Sequence, residues 1–156
     1  MDIIVEENGS EKKRLTFHLG SEKYGIPVLR TREIIKAQDF IIRSVPGFPS
    51  CHIGVITLRD KVFSIIDLKM AFGMGTTDIT EKTSIVIVEI QRPDQAPIQI
   101  GLLVDHVDEV MDFLDSEIES NSSVVQSDDE HVIGFGKKSD NELVIFLDLD
   151  KAIANI

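Results

Sequence analysis

Asp105, Asp108, Glu109 and Asp112 crowd four carboxylates into one short stretch, the residue type that general acid and base catalysis needs in pairs. A glycosidase-type pair also needs a sugar cleft walled by aromatic rings, and the chain has no Trp and one Tyr. On a strand, Asp105 and Glu109 share one face while Asp108 and Asp112 share the other, so the group reads as a solvated strand face. A small β-barrel enzyme using the acids of residues 105–112 stays as the alternative. His18, His52, His106 and His131 are scattered without the spacing of a ligand set, so no metal site is expected. Cys51, the single cysteine, cannot form an internal disulfide and has no evident activating base. Gly73-Met74-Gly75 lacks the Lys-Ser or Lys-Thr that completes a phosphate loop. Arg59 is different. It breaks residues 52–70, HIGVITLRDKVFSIIDLKM, between two apolar β-branched runs of strand length, and a charge so placed needs a carboxylate.

Those two runs, residues 53–58 and 62–68, read as a β-hairpin with the Asp60-Lys61 pair in a tight turn and most side chains buried on both faces. Ahead of it, residues 1–14 are polar and expected to fray, residues 15–19 alternate as a half-buried strand, and residues 24–29 form a second strand. Residues 30–36 suit a strand better than a short helix. After the hairpin, the polar residues 76–82 mark a boundary, and residues 83–90, TSIVIVEI, give the strongest strand signal. Residues 91–97 read as its hairpin loop and 98–104 as the returning strand. Residues 105–113 form a charged strand, 116–119 begin a short helix, and 120–130 make a mobile loop. Residues 132–135 and 143–149 close the chain as a last hairpin.

The chain also repeats itself. Gly25-Ile26-Pro27-Val28 with Glu33-Ile34 recurs 76 positions later as Gly101-Leu102-Leu103-Val104 with Glu109-Val110. Ile53-Gly54 recurs 80 positions later as Ile133-Gly134, and Asp67-Leu68 recurs 81 later as Asp148-Leu149. Two blocks in one order indicate a duplicated β module, and each half has about five strand signals, which reads as two small barrels side by side.

Length and charge bound the partners. A chain of 156 residues, 42% hydrophobic and 28% charged, is large enough to fold without a cofactor, metal or disulfide. Its net charge of −11 repels nucleic acid and anionic lipid and favours basic or neutral protein partners. No run approaches the ~18 apolar residues of a membrane span, and residues 1–15 carry acids where a signal peptide has an apolar core. The expected place is the cytoplasm, with no membrane insertion.

Phe17-x-Leu19-Gly20, Tyr24-Gly25-Ile26, Glu33-Ile34, Gly54-Val55-x-x-Leu58-Arg59, Ile65-Ile66-Asp67-Leu68 and Val104-Asp105-x-Val107 together resemble CheW, the adaptor of bacterial chemotaxis arrays. The resemblance runs over residues 15–153. It implies a mainly β fold of two intertwined five-stranded SH3-like barrels with one or two short helices. The expected division is a flexible segment 1–14, a first barrel 15–82 and a second 83–156, with strands open to exchange between them. It implies no catalysis and no cofactor, but a bridge between the cytoplasmic tips of chemoreceptors and the regulatory domain of a CheA-type histidine kinase. The family's receptor groove falls, by resemblance, on Thr31, Glu33, Gly54, Thr57 and Arg59, with Glu33 supplying the carboxylate that Arg59 needs. An adaptor of a related pathway, controlling pili or a second messenger, is the neighbouring alternative, and a sensor with an apolar pocket between the barrels is a third. Where family members often read Asn-Leu-Arg-Gly, this chain has Thr57-Leu58-Arg59-Asp60; Ser64 replaces a common Pro, and Thr31 a commonly apolar residue.

Overall fold

The computed structural model describes residues 12–124 and 131–154; residues 1–11 of the expected flexible segment, residues 125–130 of the expected loop and the last two residues lie outside these. Eleven strands among the described residues form two antiparallel-rich, curled sheets, a mainly β architecture. In chain order they are β1 (Lys13–Leu19), β2 (Glu22–Pro27), β3 (Thr31–Lys36), β4 (His52–Leu58), β5 (Lys61–Asp67), β6 (Ser84–Arg92), β7 (Gln95–Val104), β8 (His106–Asp112), β9 (Ile118–Ser120), β10 (Val132–Ser139) and β11 (Glu142–Leu147). Short helices α1 (Leu68–Ala71), α2 (Asn121–Val124) and α3 (Leu149–Ala154) follow β5, β9 and β11.

One sheet runs β8-β1-β2-β11-β10-β9 and the other β3-β6-β7-β5-β4. Each takes strands from both sides of residue 83, and the exchange follows the internal repeat. The repeat equates β1 with β6, β2 with β7, β3 with β8, β4 with β10 and β5 with β11, which turns one sheet order into the other. The parallel contacts obey it to the residue: Gly25 lies opposite Phe146, and Gly101 opposite Ile65. So do two pairs of bulges. A bulge at Arg32 in β3 is matched by one at Asp108 and Glu109 in β8, and one at Ile53 in β4 by one at Ile133 in β10.

β6 shows why the sequence specifies this arrangement. Its side chains alternate between two cores, with Ile85 and Ile87 in one and Val86, Val88 and Ile90 in the other, so the run must be apolar throughout. The larger core joins the sheets through Phe17, Leu19, Ile26, Ile66, Leu102 and Leu147. Smaller cores fill each curl: Phe63, Ile65 and Leu103 in one, Phe113 and Phe146 in the other.

Several expectations are corrected. β1 begins at Lys13 and buries Arg14, two residues inside the segment expected to fray. The β4–β5 turn is Arg59-Asp60, not Asp60-Lys61, because Leu58 pairs with Lys61 and both turn residues take the left-handed conformation, φ 48° and 67°. The arms are not buried on both faces, since Val62 is 67% exposed. The expected loop 91–97 shrinks to Pro93-Asp94, with Asp94 at φ 58°. Residues 115–117 make a 3-10 turn leading into β9 rather than a helix. α3 went unread. Its start is marked by Asp148, whose carboxylate accepts the Lys151 amide at 3.2 Å, as Asp67 accepts the Lys69 amide at 3.1 Å at the start of α1.

Candidate functional site

Glu33 stands on β3 and Arg59 directly follows β4, and these strands are the two edges of the five-stranded sheet. The sheet curls until these edges meet. Arg59 donates from one terminal nitrogen to Glu33 Oε2 at 3.0 Å and from the other to Oε1, a two-pronged pair that closes the curl. The hydrogen bond from Arg59 holds the Glu33 carboxyl below the usual carboxylate range, and Glu33 raises the Arg59 guanidinium, so both are charged at neutral pH. The Arg59 side chain is 71% exposed, so solvent screens most of what the pair could add to stability. What it offers instead is a fixed, outward guanidinium.

The other expected site residues separate into two kinds. Thr57 is exposed and lies opposite exposed Val62 in the β4–β5 register, so both flank the turn that carries Arg59. Gly54 is buried. A Cβ there would sit 2.3 Å from the Arg43 carbonyl oxygen, because residue 43 pairs with Val55 through amides at 2.9 Å in both directions. Thr31 is half-buried opposite Val88, and its Oγ1 is enclosed without a hydrogen-bond partner. The geometry thus brings Glu33, Thr57 and Arg59 to one surface and sets Gly54 beneath a backbone crossing.

The acids of residues 105–112 disperse. The β8 bulge breaks the expected alternation, and Thr16 bonds the Glu109 backbone there, donating to its carbonyl at 2.6 Å. Asp105 accepts the Gly20 amide at 2.7 Å and pairs with Lys69 at 3.3 Å. Asp108 pairs with Lys23 at 2.7 Å, which holds its carboxyl below the ordinary value. Asp105 and Asp108 thus each face their own donor rather than each other. Among the described residues no group of three or more His, Cys, Asp or Glu side chains gathers as metal ligands.

Sequence reasoning missed a pair of latches. Arg30, on the link from β2 to β3, donates to the Glu89 carbonyl at 2.7 Å and to Asp150 Oδ1 at 2.8 Å, and its second prong reaches Asp150 Oδ2. Asp150 lies in the first turn of α3 and also accepts the Gln91 amide at 2.9 Å. Burial raises the Asp150 carboxyl, but its bonds from Arg30 and Gln91 outweigh that and leave it below the ordinary value. In the other half, Asp105 on the link from β7 to β8 pairs with Lys69 of α1, the same latch with its charges reversed. The two are not strict repeat equivalents: Lys69 and Asp150 are 81 positions apart, as in the repeat, but the equivalent of Arg30 is His106, one residue past Asp105.

Two curled β sheets with an exposed ion pair and dispersed acids describe a small interaction module, and the comparisons agree. The CheW-like domain matches residues 13–156. The chemotaxis protein CheW of Bacillus subtilis is 30% identical over 150 residues, covering 96% of this chain and 92% of that protein. That of Helicobacter pylori is 27% identical and covers 90% of this chain and 81% of its own. In structure, the scaffolding protein TtCheW from Thermoanaerobacter tengcongensis superposes with a TM-score of 0.76 at 33% identity, covering 91% of this chain and 92% of that one. The chain belongs to the CheW-like family of chemotaxis coupling adaptors. Its sheets accordingly have the SH3-like fold.

Proposed function

We propose that this chain bridges chemoreceptors to a CheA-type histidine kinase without chemistry of its own, using the surface around Glu33, Thr57 and Arg59 for one of its partners. The supporting observation is the Arg59–Glu33 pair, which spends a two-pronged ion pair where solvent removes most of its structural value. A guanidinium held in one direction at the tip of a hairpin that exposes Val62 suits a helical partner with an apolar stripe flanked by acids. Modest affinity is enough, because an array holds its members through many contacts at high effective concentration. Thr31 and Gly54 shape this surface from beneath rather than touching the partner. The work is placed in the cytoplasm, where receptor tips and kinase meet; among the described residues no helix is long and apolar enough to cross a membrane.

The test is receptor-dependent kinase activation, reconstituted with purified chain carrying Arg59→Ala and with folding followed by thermal melting. Activation falls roughly tenfold or more while the melting midpoint stays. Full activation by a folded variant would remove the role given to Arg59.

A further inference from the structure

The duplication builds one cavity twice, and the two halves furnish it differently. One cavity, of about 500 Å³, is lined by Tyr24, Phe72, Val132 and Leu147 and by no Lys or Arg. The other, of about 300 Å³, has Ile100, Ile153, His52 and Ile66 at those repeat positions and adds Ile90 and Ile98. Its remaining wall comes from chain that the first half lacks. Gly25 faces Thr16 as Gly101 faces Ile87, which sets the pair Leu19 and Glu22 against the pair Ile90 and Ile98. Residues 91–97 therefore stand where the first half needs only Gly20 and Ser21. Two residues suffice to join such strands, so the fold does not demand the longer tip of the β6–β7 hairpin. Gln91, Arg92, Pro93 and Gln95 of that tip line the cavity. Arg92 is fixed in place, because its Nε and one terminal nitrogen, Nη2, both donate to the Ala96 carbonyl, at 3.1 and 2.8 Å. Nη1 takes no part in that grip, and Arg92 makes no ion pair among the described residues. Arg30, Arg32 and Arg59, by contrast, each hold a carboxylate.

We propose that the isoleucine cavity binds a small apolar monocarboxylate, its tail among the isoleucines and its carboxylate held by Arg92 Nη1 and the side-chain amide of Gln95. Arg92 and Gln95 face each other across the hairpin, so both can reach one head group. A guanidinium that is oriented but not neutralised suits a carboxylate. The volume stands at the small end of ligand cavities, which limits the tail to a short or medium chain. Repulsion does not forbid an anion there. The one acid on the lining, Asp150, is already taken up by Arg30 and the Gln91 amide, and Asp94 at the turn does not line the cavity. The net −11 of the chain is screened beyond about 8 Å at physiological salt, which leaves Arg92 as the nearest uncompensated charge on the lining.

Octanoate titrated into isotope-labelled full chain at physiological salt, with no kinase or receptor present, tests this by the isoleucine methyl resonances. Ile66, Ile90, Ile98, Ile100 and Ile153 shift and saturate. 1-Octanol, which has the tail without the charge, binds about tenfold more weakly, the loss of one charge-assisted bond. Arg92→Met keeps an apolar stem and lowers octanoate to the level of octanol. Ile98→Trp, which adds bulk to the lining at a residue already 38% exposed, abolishes binding of both. The proposal falls if octanoate gives no saturable shifts, if octanol binds as tightly, or if a folded Arg92→Met keeps full affinity for octanoate. Should Arg92→Met not fold, unchanged binding in Ile98→Trp overturns the proposal alone.

Discussion

The hairpin of β4 and β5 and that of β10 and β11 descend from one module, yet they spend their turns differently. The first turns at Arg59-Asp60, both left-handed, and aims Arg59 at Glu33. In the second, the position of Arg59 is Asp140 and that of Glu33 is Glu109, two acids that cannot pair. Its lysines do other work. Lys137 reaches Glu119 at 3.5 Å, and Lys138 reaches Glu117 at 3.0 Å while lying 4.9 Å over the Phe113 ring. The two sheets share the order of five strands and two pairs of bulges, and neither set of charges recurs in the other half, so the shared architecture does not depend on them. What both halves keep is structure, and what only one half has is open to function.

The largest effects are expected where the halves agree. Gly54 and Gly134 each sit where a Cβ would collide with a backbone carbonyl, that of Arg43 at 2.3 Å and that of Glu119 at 2.6 Å. Neither carbonyl can move without breaking its pairing to β4 or β10. Gly54→Ala and Gly134→Ala should therefore each lose about 3 kcal/mol or more, or fail to fold, in urea unfolding. Equal losses would show that Gly54 serves the fold as its repeat does. A Gly54→Ala protein of ordinary stability that had lost kinase coupling would return Gly54 to the partner surface.

Next comes the contrast itself. Arg59→Ala, tested for coupling as above, should abolish most activation and leave melting unchanged. Lys138→Ala should behave in the opposite sense, with coupling intact and a small loss of stability from the Phe113 contact and its ion pair, about 0.5–1 kcal/mol by melting. If both variants lost coupling equally, the two hairpins would share the task and the asymmetry would carry no meaning.

Most of the fold was legible because period and repetition survive in the residues. Val86 and Ile87 must alternate between two cores, and Gly25 and Gly101 recur at one spacing, so strands and duplication could be read directly. The turn at Arg59-Asp60 was misplaced because left-handed positions are usually marked by Gly or Asn, and here a neighbouring ion pair holds a residue that seldom adopts them. α3 was missed because six residues carry too little periodicity to separate helix from strand. At the site, Arg59's need for a carboxylate was readable from the chain itself, but Glu33 could be named only through the family resemblance, because β3 and β4, though consecutive in the chain, meet only through the curl of their sheet. The latches were invisible for the same reason, since Arg30 and Asp150 meet across the whole chain.

The latches give the most graded test. Arg30→Ala leaves Asp150 partly buried with only the Gln91 amide, and should cost about 1–2 kcal/mol; Lys69→Ala, removing a single contact to Asp105, should cost about 0.5–1 kcal/mol. Acid separates the two further. Because Asp150's carboxyl is depressed in the folded chain, the stability it contributes is fully present above the ordinary carboxylate value near pH 4 and is lost as the pH falls through the lower folded value. Asp108, depressed by Lys23, adds to the same limb. Lys23 is itself raised, so its share persists below the ordinary lysine value and disappears only as the pH climbs through the higher folded one. Asp150→Asn should thus flatten the decline of stability below pH 4 without touching the alkaline limb, while Lys23→Met should flatten both. A decline below pH 4 that was as steep in Asp150→Asn as in the parent chain would mean that the Arg30 latch does not hold in solution.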